Sequence, residues 1–149
     1  MEKLFKKKNI YFVERVTDWE EAIRTAIEPL VRQGYCESRY IDGVFENTKK
    51  YGPYYVLCEN LALIHAATNQ GALETQMAVT VLKEPVRFKP DGFDVRILIG
   101  LVASDAKSHV DIMRAIGEIF SNSETVEKLL ATTSQDVVYD IFANSNDVA

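Results

Sequence analysis

Residues 95–110 read VRILIGLVASDAKSHV. From Val95 to Ala103 the run is almost continuously apolar. A strand with one wet face alternates apolar and polar side chains, whereas a strand covered on both faces does not. The run therefore predicts a central strand buried on both sides. Ser104-Asp105-Ala106-Lys107-Ser108 is a short polar link. Beyond it, Val110, Ile112, Met113, Ile116, Ile119 and Phe120 recur at helical spacing, which predicts a helix from Ser108 to about Phe120.

The same logic extends outward along the chain. Two further helices follow, Glu124–Ala131 and Gln135–Phe142, with Ser123 and Ser134 as N-caps, and a polar, frayed end from Asn144 to Ala149. Upstream, Pro90-Asp91-Gly92 is a turn, and Met77–Leu82, Leu61–Ile64 and Tyr54–Leu57 are short apolar strand candidates. Asn9–Glu14 is β-branched and aromatic and suits another strand. Thr17 with Glu20 forms a capping box opening a helix whose inner face is Trp19, Ala22, Ile23, Ala26, Ile27, Leu30 and Val31. Pro29 is expected to kink or split that helix and Gly34 to stop it. A second helix runs from Ser38 to about Lys50, with Tyr40, Ile41, Val44 and Phe45 inward, and ends at Gly52-Pro53. A strand, two helices, several strands and three helices predict an α/β chain: a mixed β-sheet flanked by helices.

Composition agrees with that fold and excludes several function classes. The chain has 149 residues, 47% hydrophobic and 26% charged, enough for one domain spanning 1–149. Lys+Arg 17 against Asp+Glu 22 gives a net charge of −5, with no basic stripe, which argues against nucleic acid as a partner. The one basic cluster, Lys6-Lys7-Lys8, reads as a solvated end or as edge-strand protection. Cys36 and Cys58 fit no disulfide framework and no zinc spacing. No apolar run is long enough to span a membrane, and the start lacks the features of a signal peptide, so the expected location is cytoplasmic.

Chemistry concentrates at the two histidines. His65 closes the apolar run Leu61-Ala62-Leu63-Ile64 and meets a polar loop, which places it at a strand end. His109 sits in the first turn of the helix after the central strand, with Ser108 or Asp105 at the cap. A helix N-terminus favours anions, and a neutral imidazole is a good nucleophile near neutral pH. One imidazole attacking phosphorus and the other holding the phosphoryl oxygens would make a workable pair. Taken alone, His65 reads more simply as a hydrogen-bonded structural residue and His109 as a half-exposed residue of a helix's first turn. A shared metal would need a third ligand, and no HxxxH, HxH or HExxH spacing supplies one. Glu59-Asn60 is a candidate for orienting His65. Asp91 and Asp94 read as turn formers, and no Gly-rich phosphate loop is present.

The stretch Tyr51–Thr68, YGPYYVLCENLALIHAAT, resembles the enzyme IIA component of the bacterial phosphoenolpyruvate-dependent sugar phosphotransferase system, mannitol/fructose type, in its ascorbate-like branch. Leu57, Leu61, Ala62, Leu63, His65 and Ala66 match the family's active-site strand. Gly71–Val86 resembles its following hairpin, and Val95–Val110 its second histidine motif. The resemblance covers roughly Val44 to Phe142. It implies that His65 accepts a phosphoryl group from phospho-HPr and passes it to enzyme IIB, that His109 stabilises the transferred group, and that enzyme IIC in the membrane is served only indirectly. It implies no cofactor and no metal. Three positions depart from the pattern: Cys58 stands where a small residue is usual, Ile64 where proline is usual, and Ala67 where the ascorbate-like branch often has arginine. Lys49 and Lys50 are candidates to replace that charge. The departures motivate an alternative, a catalytically degenerate regulatory or protein-interaction module on the same fold. A homodimer through an edge strand stays open.

Overall fold

A computed structural model describes residues 5–144. The expected frayed end beyond residue 144 lies outside the described residues. Five strands form one mixed sheet in the order β1-β4-β5-β3-β2. These are β1 (Phe5–Val13), β2 (Val56–Cys58), β3 (Asn60–Ile64), β4 (Gln76–Val86) and β5 (Val95–Val102). β1 runs parallel to β4 and β3 parallel to β5, while β4 with β5 and β2 with β3 are antiparallel. Helices α1 (Trp19–Arg32) and α2 (Arg39–Tyr51) cover one face. Helices α3 (Ala106–Phe120), α4 (Ser123–Ala131) and α5 (Gln135–Ala143) cover the other. Among the described residues no helix is long and apolar enough to cross a membrane.

β5 is central, as its unbroken apolar run requires. Leu98 and Val102 pack under α1 and α2, while Ile97, Ile99 and Leu101 pack under α3–α5, all without exposure. Gly100 is the point of closest approach between sheet and helix: a Cβ there would collide with the Ala26 carbonyl of α1. Each aliphatic side chain buried in this way contributes about 1.5–3 kcal/mol of transfer free energy. The Lys6-Lys7-Lys8 cluster lies on an edge strand, β1. Lys6 donates to the Tyr35 hydroxyl at 2.8 Å and Lys7 pairs with Asp136.

Several local expectations are corrected. The α1 N-cap is Asp18, which accepts the Glu21 N–H at 2.9 Å, and Glu21 rather than Glu20 reaches back to Thr17. Pro29 lies within a continuous α1. It falls in the last turn, where the lost hydrogen bond affects only the fraying end. Gly34, at φ 84°, then stops the helix: its N–H reaches Val31 and that of Tyr35 reaches Leu30. The α4 cap is Asn122, one residue before the expected serine, and it accepts the Thr125 N–H. Tyr54 and Tyr55 belong to the turn before β2 rather than to the strand itself.

Candidate active site

Topology brings the two histidines together. β3 and β5 are parallel neighbours, with Ile64 opposite Gly100, so both strands end at the same border of the sheet. His65 follows β3 directly, and α3 starts shortly after β5. Side chains leaving adjacent parallel strands at their carboxyl ends converge, the usual place for a site in such sheets. The two imidazoles lie with ring centroids 5.2 Å apart, tilted by 56°. They share a cleft of about 760 Å³, walled by Asn47, Tyr51, Tyr54, Thr68 and Val110.

His65 is half-buried and strongly fixed. Its Nδ1 lies 2.6 Å from the Leu63 carbonyl oxygen. A carbonyl only accepts, so Nδ1 carries the proton and Nε2 keeps a lone pair. Burial holds the imidazole below the ordinary histidine range; the Leu63 carbonyl works against that, and His109 adds to the lowering. At neutral pH the ring is therefore uncharged and nucleophilic. Tyr54 packs edge-on against it, centroids 5.3 Å apart at 87°, and donates its hydroxyl to the His65 carbonyl.

His109 is carried by the first turn of α3. Asp105 caps that helix, accepting the Ser108 N–H at 2.7 Å and the Ser108 hydroxyl at 3.0 Å. Those bonds hold the Asp105 carboxyl below the usual carboxylate range. The turn is thereby locked, and the His109 ring faces the cleft opposite His65.

The loop after His65 is tied down by groups that the sequence does not single out. Tyr40, fully buried, accepts the Ala66 N–H at 3.0 Å and donates to the Leu101 carbonyl at 2.8 Å. Gln70 accepts the Ala67 N–H at 2.8 Å and pairs its amide with that of Asn47. Thr68 donates to the Ala103 carbonyl. An inward-facing tyrosine on an amphipathic helix reads only as core, so no sequence signal separates Tyr40 from its neighbours.

Other candidates fall away. Glu59-Asn60 lies at the opposite end of β3, where the Asn60 N–H bonds to Asp94, so it does not orient His65. Asp94 pairs with Arg87 at 2.8 Å beside the turn. Lys49 lines a separate hollow with Trp19 and Phe45, and Lys50 lies over the Tyr51 ring, 5.3 Å from its centroid. Burial pushes the Cys36 thiol up to about 12 and also raises Cys58, so neither is a ready thiolate. Among the described residues no three His, Cys, Asp or Glu side chains are grouped to hold a metal.

Known proteins resemble this chain over nearly its whole length. The family pattern described as "Phosphoenolpyruvate-dependent sugar phosphotransferase system, EIIA 2" matches residues 3–145. The mannitol-specific cryptic phosphotransferase enzyme IIA component of Escherichia coli K12 is 34% identical over 139 residues, covering 93% of this chain and 95% of that protein. The ascorbate-specific EIIA component of the same organism is 29% identical, covering 98% and 96%. The solved complex of mannitol enzyme IIA with phosphorylated enzyme IIB from Escherichia coli superposes with a TM-score of 0.83 at 28% identity, covering 94% of this chain and 99% of that one. The chain belongs to the enzyme IIA family of the phosphoenolpyruvate-dependent sugar phosphotransferase system, in the branch that holds the mannitol and ascorbate components.

Proposed function

We propose that this chain is a single enzyme IIA domain that carries a phosphoryl group on Nε2 of His65, taken from the phosphohistidine of HPr and delivered to enzyme IIB. The observation that carries the reading is the pair of imidazoles facing one cleft, with Nδ1 of His65 committed to the Leu63 carbonyl. The lone pair on Nε2 attacks phosphorus in line as the donor's P–N bond breaks. The donor imidazole leaves with the bonding electrons. His65 gains the N–P bond and becomes an imidazolium, whose Nδ1 proton stays hydrogen-bonded to the Leu63 carbonyl. His109 donates to a phosphoryl oxygen across the cleft and spreads its charge. The reverse geometry serves delivery to enzyme IIB, the assembly in which the mannitol relative has been solved.

The departures at Ile64 and Ala67 have local answers. Ile64 is fully buried and paired opposite Gly100, so strand pairing holds extended the position that proline would restrict. Ala67 is exposed at the mouth of the cleft, where it brings no charge to the phosphoryl group. Incubation with phosphoenolpyruvate, enzyme I and HPr is expected to add an acid-labile, base-stable phosphoryl group that maps to His65. Full labelling of a His65→Gln variant would refute the assignment, and no labelling by any HPr together with stable partner binding would favour the degenerate module.

A further inference from the structure

The two tyrosine contacts beside His65 act on one chemical unit. The Tyr54 hydroxyl donates to the His65 carbonyl, and the Tyr40 hydroxyl accepts the Ala66 N–H at 3.0 Å. That C=O and that N–H are the two ends of the same peptide bond, the one leaving His65. The plane is therefore gripped from both sides. Each phenol is anchored elsewhere: Tyr40 by its bond to Leu101 at the end of β5, Tyr54 by edge contacts to Tyr55 at 4.9 Å and to His65 itself. We infer that Tyr40 and Tyr54 form a peptide clamp that positions the His65 imidazole for phosphoryl transfer, with Tyr54 additionally setting the rotation of the ring. The inference rests on the assignment of His65 as the phosphoryl acceptor.

Geometry and chemistry support it together. The His65 ring can turn about two side-chain bonds, and its Nδ1 proton returns to a carbonyl only two residues back. That local bond holds its angle only if the backbone from Leu63 to Ala66 is fixed. β3 fixes the upstream part by pairing with β5. Downstream the chain leaves the strand, and the clamp takes over where pairing stops. Burial pushes both phenols above their ordinary range, so each keeps its proton over the working pH range. The clamp also lies downstream of Ile64. This chain thus restrains its nucleophile on both sides, by strand pairing before the histidine and by the clamp after it.

Tyr54→Phe keeps the ring contact and removes only the donor, and Tyr54 is half-buried, so this variant folds more readily than Tyr40→Phe. The test measures transfer from phospho-HPr in single turnover over a range of donor concentrations, with the imidazole nitrogens of His65 followed by NMR. The saturated rate is expected to fall by up to about 10²-fold, the cost of an ångström-scale misplacement of a reacting group. Half-saturation should stay unchanged, and the His65 nitrogens should shift from a single tautomer toward a mixture. A wild-type rate with an unchanged tautomer overturns the clamp, and so does a rate lost only through weaker donor binding. If the unmodified chain accepts no phosphoryl group, the functional assignment falls. The NMR arm then still decides whether Tyr54 fixes the ring, and an unchanged tautomer in Tyr54→Phe rejects it.

Discussion

Under α1 and α2 the buried cluster contains phenols whose hydroxyls are bonded: Tyr40 to Leu101 and Ala66, and Tyr55 to Thr48 at 3.0 Å. Under α3–α5 the fully buried members are aliphatic side chains, Met77 and the phenyl rings of Phe5 and Phe142. The difference is one of direction. Apolar packing is strong but non-directional, so it sets where a helix lies without fixing individual backbone atoms. Buried hydrogen bonds are modest in net energy but fix atoms to within tenths of an ångström. The backbone that leaves His65 is held by phenols of the first cluster, Tyr40 and Tyr54, where orientation matters, and His109 is carried by α3 of the second, where proximity is enough. The active site joins a directional face to a packing face.

The histidines themselves give the widest contrast. His65→Gln should abolish phosphoryl acceptance while leaving the fold intact. His109→Ala should leave the label on His65 and slow its transfer about 10²-fold, the usual cost of removing one group that stabilises developing charge. A time course of labelling with mass-spectrometric mapping measures both, and equal loss in the two variants would erase the distinction between the faces. Leu129→Ala in the packing face should come next. A fully buried leucine truncated in this way costs about 2–5 kcal/mol of stability. Urea unfolding should show that loss, while transfer by the folded fraction stays at the wild-type rate. Tyr40→Phe should reverse the ranking: it leaves the Ala66 N–H and the Leu101 carbonyl without partners, a cost of about 1–3 kcal/mol. It should nevertheless slow transfer more than Leu129→Ala does. If the leucine variant proves the slower of the two, direction is not what separates the faces.

The sequence carries the sheet and the histidines but not the clamp. β5 is legible because burial on both faces forces an unbroken apolar run, and His65 and His109 because each interrupts apolar periodicity at a place where a strand or its following link ends. The layering of helices follows from element order. The caps shift by a residue because Thr17-Asp18 and Asn122-Ser123 each offer two capping side chains, and only tertiary packing chooses between them. β4 runs past the expected Leu82 to Val86, because the Glu84 N–H finds the Glu14 carbonyl and Val86 pairs with Val95 despite the polar residues between. Tyr40 and Tyr54 are invisible for a different reason. Their role lies in a hydroxyl meeting a backbone atom far along the chain, 26 positions away for Tyr40, and side-chain periodicity contains no information about backbone partners.

The smallest effect is a separation in pH. Burial holds the His65 imidazole below its ordinary range, so over the interval beneath the unfolded value of about 6.5 the unfolded chain binds more protons than the native one. Stability contributed by the neutral ring is then lost as pH falls from that value toward the folded pKa. Asp105 is held down for another reason, the bonds from Ser108, and its contribution is lost only lower, as pH falls from about 3.9 through its folded pKa. Both groups weaken the fold on acidification, in windows that do not coincide. Subtracting the stability–pH curve of His65→Gln from that of the wild type should leave a step confined to the upper window. The same subtraction with Asp105→Asn, which keeps a capping side chain but no charge, should leave one confined to the lower. Each difference curve isolates one side of the cleft, so the absence of any step from His65→Gln below about 6.5 would mean that the ring is not desolvated in the folded chain. The neutral Nε2 on which phosphoryl acceptance depends would then owe nothing to the phenols packed around it.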